Sequence, residues 1–205
     1  MRQWLNGGVQ TMHPTKALLL ETAVALVDER GPQGFTADEL LDTSGISKGS
    51  MYHHFEDFTD VIESAQVFRF ARFVNEDIAA IVAVMKTVTS REEMFDRFRR
   101  ITEVASSPDR ASSRADRAMI IGLASRSPRL ARALAAEQDR LTDTLVDISR
   151  EFQERGFLAS HADPRVIAVF VQAYTFGRVI DDIASTKMST DGWIALISRI
   201  VESNL

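Results

Sequence analysis

The residues whose types indicate chemistry are concentrated between Lys48 and His54, a segment without any acidic side chain. Its lysine, serine, tyrosine and histidine side chains can donate hydrogen bonds to phosphate oxygens or to the edges of bases. Met51 and Phe55 are four residues apart, so in a helix they share one face and leave the polar groups on the other. Gly49 costs about 1 kcal/mol relative to alanine in a helix, and the close approach of a partner would explain it. The segment therefore favours a nucleic-acid contact surface over the alternative, an ordinary solvated helix.

The residues around this segment predict two short helices joined by a tight turn. Thr36 and Glu39 have the spacing of a capping box, in which each side chain bonds to the backbone N–H of the other residue. Gly45 supplies the left-handed residue that ends the first helix, and Ser47 caps the second. Two helices joined by a turn of about three residues form the helix-turn-helix unit, whose second helix lies in the DNA major groove.

A larger group of positions, spread over residues 15–65, resembles the pattern of a known protein family. Its marked positions are Ala23, Leu26, Gly31, Thr36, Leu40, Leu41, Ser44, Gly45, Ile46, Ser47, Gly49, Met51, Tyr52, His54 and Phe55. At these positions the segment resembles the DNA-binding domain of the TetR family of bacterial transcriptional repressors. The resemblance implies an all-helical protein that binds DNA as a homodimer and carries a second, ligand-binding and dimerisation domain.

The resemblance also implies roles for individual residues. Thr36 and Tyr52 would contact phosphates, Lys48, Gly49 and His53 would face bases, and His54 would lie near the DNA backbone. The predicted DNA-binding set is Thr36, Ser47, Lys48, Gly49, Ser50, Tyr52, His53 and His54. Phe58 departs from the family pattern, because it stands where the family often has a lysine that contacts phosphate.

Composition limits the other classes of function. The chain of 205 residues has no cysteine and a net charge of −5, which argues mildly against nucleic acid as a partner of the whole chain. Residues 13–60 hold three basic and nine acidic residues, a net charge of −6. No apolar run approaches the roughly 18 residues of a membrane span, so we expect no membrane association and a cytoplasmic location.

Hydrophobic periodicity predicts an all-α fold of about nine helices in two domains. Residues 1–12 form an N-terminal tail in which Met12 is an alternative start. Residues 13–60 form the three-helix DNA-binding domain, and residues 61–205 form a six-helix ligand-binding and dimerisation domain. Within the second domain we expect helices from Ala115 to Ala124, from Pro128 to Gly156, from Pro164 to Ala184 and from Thr190 to about Ser203.

The segment from Pro164 to Ala184 is apolar around its whole circumference, so it must be buried on all sides. A domain of this size has difficulty surrounding such a helix, so we expect a second copy of the chain to cover it; the alternative is a central helix in a monomer. The predicted dimer interface combines this segment with the last helix and contains Tyr174, Phe176, Val179, Ile180, Trp193, Ile197 and Ile200.

The supply of large apolar side chains in the second domain predicts a cavity of about a few hundred Å³ for a small apolar ligand. Its candidate lining residues are Phe73, Met94, Phe98, Met119, Phe152, Phe170 and Tyr174, although aromatic residues at helical spacing are more often plain core. Asp181 and Asp182 are interpreted as an exposed helix end, and the alternative is a polar lining of a cavity or interface. We nominate no catalytic residue, metal site or cofactor, because His53 and His54 are adjacent and cannot share a metal ion as residues four apart do. A dimeric small-molecule-binding protein with little DNA affinity stays as the alternative function, and an all-helical enzyme is the third.

Overall fold

The computed structural model describes residues 12–204, and within them it contains helices and no strand. The α-helices are α1 (Pro14–Arg30), α2 (Ala37–Ser44), α3 (Lys48–His54), α4 (Phe58–Met85), α5 (Arg91–Ala105), α6 (Ala111–Ala124), α7 (Pro128–Glu154), α8 (Pro164–Gly177), α9 (Val179–Asp182) and α10 (Thr190–Asn204). The all-α fold is confirmed. The predicted tail, residues 1–12, lies outside the described residues except for Met12. None of the helices in the described part has the length and apolar content needed to cross a membrane.

The predicted capping signals produce the first three helices. The Thr36 hydroxyl accepts from the Glu39 N–H at 3.3 Å, and the Glu39 carboxylate accepts from the Thr36 N–H at 2.8 Å. These bonds to Thr36 hold the pKa of Glu39 below its usual value. Gly45 ends α2 with a left-handed φ of 68°, and the Ser47 hydroxyl accepts from the Ser50 N–H at 3.2 Å to begin α3. The beginning of α2, its end and the beginning of α3 therefore lie where the capping residues predict them.

The prediction of one continuous helix from Pro164 to Ala184 is wrong, because the helix is interrupted after Gly177. Glycine is a poor helix former and is a common site of helix breaks. The chain turns at Arg178 and continues as the four-residue helix α9, which raises the number of α-helical segments in residues 12–204 to ten. Helix α6 also begins earlier than expected, at Ala111, because a 3₁₀ turn over Pro108–Arg110 leads directly into it.

The interpretation of Asp181 and Asp182 as an exposed helix end is also wrong. The guanidinium of Arg114 on α6 is buried and donates to both carboxylate oxygens of Asp182, at 2.6 and 2.8 Å. Arg178, also buried, lies 3.7 Å from the Asp181 carboxylate. The bidentate bond to Arg114 lowers the pKa of Asp182. Charged residues in this apolar stretch therefore fasten α9 to α6.

Two hydrophobic cores share α4. Val61 and Ala65, near its start, belong to the core that α1, α2 and α3 form around Leu19, Leu40, Met51 and Phe55. Phe70 and Val74, two to three turns later, belong to a second core with α6, α7 and α8. The predicted domain boundary at residue 60 thus falls at the beginning of a helix that both cores use.

Gln66 on α4 lies between these two sets and is 1% exposed. Neither its amide nitrogen nor its amide oxygen has a hydrogen-bond partner among the described residues. Burying an unpaired amide costs about 1–3 kcal/mol. We therefore expect Gln66→Leu to raise the free energy of unfolding by at least about 1 kcal/mol, measured by urea denaturation at fixed protein concentration.

Gln172 on α8 supplies the matched control, because its amide donates to the Ala168 carbonyl at 3.1 Å and to the Thr142 hydroxyl at 3.2 Å. Gln172→Leu removes these bonds and should lower the free energy of unfolding. A Gln66→Leu protein less stable than wild type would contradict the assignment of Gln66 as an unpaired group.

Candidate nucleic-acid interface and cavity

Helix α3 is attached to the protein by one face. Met51 and the residue after the helix, Phe55, are buried in the first core, whereas Lys48, Gly49, Tyr52 and His53 are exposed. We call the exposed side of residues 47–54, together with Thr36 at the start of α2, the recognition surface. Residues 47–54 contribute no carboxylate to this surface, as the sequence predicts, whereas the Glu39 carboxylate accepts from the Thr36 hydroxyl at 3.0 Å.

The predicted DNA-binding residues all lie on or beside the recognition surface, but Thr36, Ser47 and Ser50 also take part in the hydrogen bonds that begin α2 and α3. The Ser47 hydroxyl caps α3 and lies 3.1 Å from the Ser50 hydroxyl, and Ser50 is partly buried. A Cβ added at Gly49 would meet no atom within 4 Å. Packing inside the chain therefore gives no reason for a glycine at this position.

Three histidines meet at the end of α3. The ring centroid of His54 lies 4.9 Å from that of His13, which caps α1, and 5.1 Å from that of His53. Desolvation lowers the pKa of His54, and the neighbouring charges of His13, His53 and Lys16 lower it further. Within residues 12–204 no group of histidine, aspartate and glutamate side chains is arranged to hold a metal ion.

Sequence reasoning missed Lys16 as a residue near this surface. Its ammonium group lies 5.1 Å from the centroid of the Phe55 ring, so α1 brings a fixed positive charge to the end of α3. Lys16 lies in the first turn of α1, far along the chain from α3, so the residue spacing within the helix-turn-helix does not mark it. Phe58, at the start of α4, instead packs edge to face against Phe35 at 5.7 Å and contributes to the core.

A separate internal cavity of about 60 Å³ lies among α4, α5, α7 and α8, and it is smaller than the sequence analysis predicts. Its lining is Ile81, Met85, Met94, Phe95, Phe98, Ile101, Leu145, Ile148, Ser149, Phe152, Leu158, Ile167, Ala168, Val171 and Val201. The only polar side chain among them is Ser149, and its hydroxyl donates to the Leu145 carbonyl at 2.8 Å. The cavity therefore has no free polar group to offer a ligand.

Three of the predicted ligand residues, Met94, Phe98 and Phe152, line the cavity. The other four are not part of its lining. Phe73 packs on the second core, with the Arg117 guanidinium 5.2 Å from its ring, and Met119 is exposed on α6. Phe170 and Tyr174 join an aromatic cluster with Phe98 and Trp193. The Tyr174 hydroxyl lies 2.8 Å from the Thr102 hydroxyl, and burial raises the pKa of Tyr174 to about 12.

An apolar surface is left uncovered on α8, α9 and α10. Val166 and Val169 on α8, and Ile180 and Ile183 around α9, are more than half exposed, with Leu196 on α10 nearly so. Of the predicted interface residues, Ile180 and Ile200 are exposed, while Phe176, Val179 and Trp193 are partly buried. Tyr174 and Ile197 are instead buried within the chain itself. The apolar α8 helix is thus covered on one side only.

Residues 19–65 match the family model of bacterial regulatory proteins of the tetR family. The TetR resemblance is confirmed. No curated protein matches the chain. The fold of this TetR-like chain resembles a candidate TetR-family transcriptional regulator from Mesorhizobium loti, with a TM-score of 0.67 and 18% identity over 92% of this chain and 94% of that one. For a transcriptional regulator of the TetR/AcrR family from Thermobifida fusca, the TM-score is 0.63 and the identity is 17%, over 92% of this chain and 97% of that one. For the regulator FadR from Bacillus subtilis, solved in complex with stearoyl-CoA, the TM-score is 0.61 and the identity is 14%, over 92% of this chain and 98% of that one.

The histidines make a testable prediction for this TetR-like chain. A DNA phosphate beside His54 would raise its pKa, so protonation and DNA binding should favour each other. We expect affinity for DNA to rise as the pH falls from about 8 to about 6 in constant salt. The double variant His53→Ala, His54→Ala should lose most of this dependence, as measured by fluorescence anisotropy with labelled duplex DNA.

The stability of the free protein should respond to pH in the opposite direction. In the folded chain the pKa of His54 lies below the unfolded value of about 6.5, so the unfolded chain binds the proton first. His54 therefore makes the fold less stable as the pH falls through about 6.5. Thermal unfolding of the wild type and the double variant across this pH range measures the effect. For DNA affinity, an equal pH dependence in both proteins would show that protonation of these histidines does not contribute to binding.

Proposed function

We propose that the chain is a DNA-binding transcriptional regulator, a TetR-like repressor that binds a palindromic operator as a homodimer and is released by a small apolar ligand. The observation that supports this proposal most directly is the exposed face of α3, which carries no carboxylate, on a capped helix-turn-helix. In this proposal α3 enters the major groove. Lys48, Gly49 and His53 face the bases, and Thr36 and Tyr52 hold phosphates.

A homodimer is part of this proposal, because two half-sites about 34–36 Å apart require two recognition helices. The uncovered apolar surface of α8, α9 and α10 supports a second copy of the chain as the partner. Exposed contiguous apolar surface marks interaction sites in proteins. We assign the interface to Val166, Val169, Phe176, Ile180, Ile183 and Leu196, while Tyr174 and Ile197 support it from inside the protomer.

The apolar lining of the cavity supports a regulatory ligand whose buried part carries no charge. The FadR neighbour holds stearoyl-CoA, whose acyl chain is apolar, and we propose a small apolar ligand for this chain as well. At about 60 Å³ the cavity must enlarge to accept such a molecule, and Met85 and Met94 in its wall have flexible side chains that can move. A ligand that binds the enlarged state more tightly would shift the population toward it.

The alternative function is a dimeric small-molecule-binding protein with little DNA affinity. The net charge of −6 over residues 13–60 favours it, and so does the packing of Phe58 in the core where the family often has a phosphate-binding lysine. A mobility-shift assay with DNA from beside the protein's own gene separates the two functions. Specific retardation supports the regulator, and its absence at micromolar protein supports the alternative.

Gly49 provides a sharper test of the recognition surface. Gly49→Ala should raise the free energy of unfolding by up to about 1 kcal/mol, because the added Cβ meets no atom and alanine favours the helix. If α3 lies in the groove, the same methyl group should lower DNA affinity. Thermal unfolding and anisotropy titration of one protein sample measure the two opposite effects.

Gly122→Ala is the matched control, since Gly122 is exposed on α6 and an added Cβ there also meets no atom within 4 Å. It should gain stability and keep its DNA affinity. Unchanged DNA affinity in Gly49→Ala would count against the close approach of α3 to DNA.

The dimer has its own test. Replacing Ile180 and Ile183, which are 73% and 84% exposed, by aspartate should dissociate the protein into folded monomers, because charge would be buried at the interface. Ile121→Asp, at an isoleucine 44% exposed on α6, is the control that should stay dimeric. Sedimentation velocity gives the mass and circular dichroism gives the helix content. A wild-type protein that sediments as a monomer at micromolar concentration would refute the homodimer.

A further inference from the structure

Arg129, at the beginning of α7, lies among four carboxylates near the start of α4. Its Nε is 2.6 Å from Glu63 Oε2 and 3.9 Å from Asp60 Oδ1. Its Nη1 is 3.3 Å from Glu56 Oε2, and its Nη2 is 4.0 Å from Asp57 Oδ1. Glu56 and Asp57 form the turn that follows α3. A single guanidinium thus connects α7 with the segment that sets the direction of the recognition helix.

The position of Arg129 is unfavourable for its own helix. It follows Pro128 in the first turn of α7, where the positive end of the helix dipole disfavours a cation. Asp60 and Glu63 are mostly buried and Arg129 is about one third exposed, so the group is partly shielded from solvent. Without the guanidinium the four carboxylates would repel one another. The stabilisation of Arg129 therefore comes from the contact between helices and not from α7.

Arg69 on α4 makes a second connection of the same kind. Its Nη2 lies 2.7 Å from Asp28 Oδ1 at the end of α1 and 2.7 Å from Asp116 Oδ2 on α6. The Arg69 side chain is only 13% exposed. One guanidinium nitrogen therefore joins a helix of the first core to a helix of the second through the helix that they share.

We propose that Arg129 and Arg69 are positioning residues that fix the orientation of the helix-turn-helix relative to the second core, and so set the distance between the two recognition surfaces of the dimer. This inference rests on the proposed homodimer. Neither arginine belongs to the hydrophobic cores that hold the helices together, so the fold itself should survive the loss of either one. What is lost is part of the angular restraint, because one of the two ionic connections beside α4 would then be missing.

The chain contains no cysteine, so one introduced cysteine can carry a spin label at a unique site. We place it at Glu21, which is exposed on α1, and measure the label-to-label distance in the homodimer by pulsed dipolar electron spin resonance. The otherwise wild-type protein should give a narrow distribution. Arg129→Gln and Arg69→Gln should each give a broader or displaced one, with little change in the thermal midpoint.

Arg150→Gln is the matched control, because Arg150 pairs with Asp147 at 3.4 Å on the exposed face of α7 without reaching another helix. Its distance distribution should equal that of the wild type. The exchange Glu63→Arg with Arg129→Glu restores an opposite pair between α4 and α7 and should narrow the distribution again. A role limited to stability would instead move the thermal midpoint and leave the distance distributions alike.

The possible failures are distinguishable. Distributions that coincide in wild type, Arg129→Gln and Arg69→Gln would overturn the positioning role while leaving the homodimer intact. The absence of any dipolar interaction in the wild-type protein at micromolar concentration would overturn the homodimer, and the positioning role with it. If Arg150→Gln broadened the distance distribution as much as Arg129→Gln, the positioning role would also be rejected. The broadening would then not depend on an ion pair that connects two helices.

Discussion

The structure depends on one helix that takes part in two hydrophobic cores. Helix α4 buries Val61 and Ala65 with the first three helices, and Phe70 and Val74 with the long helices of the second core. Its 28 residues correspond to a length of about 42 Å. Because a continuous helix resists bending, a shift of α4 in the second core moves its beginning, and the beginning is packed against the core that holds α3. Side-chain packing along one helix therefore joins the two halves of the chain mechanically.

The cavity behind the helix-turn-helix adjoins the same helix. It meets α4 at Ile81 and Met85, about six turns or more from the beginning of that helix. The buried Gln66 with its unpaired amide lies between the two cores on the same helix. Packing defects at these two places cost stability. The ionic connections of Arg129 and Arg69 act on the same joint from outside the apolar cores.

The sequence predicted helices α2 and α3 well, because local side chains determine them. Thr36, Gly45 and Ser47 act on backbone groups within three residues, so their spacing is sufficient to place α2 and α3. The break after Gly177 could not be predicted in the same way, because the residues that hold α9, Arg114 and Asp182, are far apart along the chain. The size of the cavity is likewise a property of packed volumes and not of composition. For the same reason Lys16 was missed, since only the packing of α1 brings it beside α3.

The attachment of α3 to its core has a consequence for how such a surface changes over evolutionary time. Two side chains, Met51 and Phe55, supply the burial, while the cap at Ser47 and the turn at Gly45 fix the direction of the helix. Positions 48, 52 and 53 carry none of these tasks and are exposed. Substitutions there alter the chemistry presented to a partner at little cost to the fold. The domain thus separates the residues that preserve its shape from those that can diversify, and new specificities can arise on an unchanged scaffold.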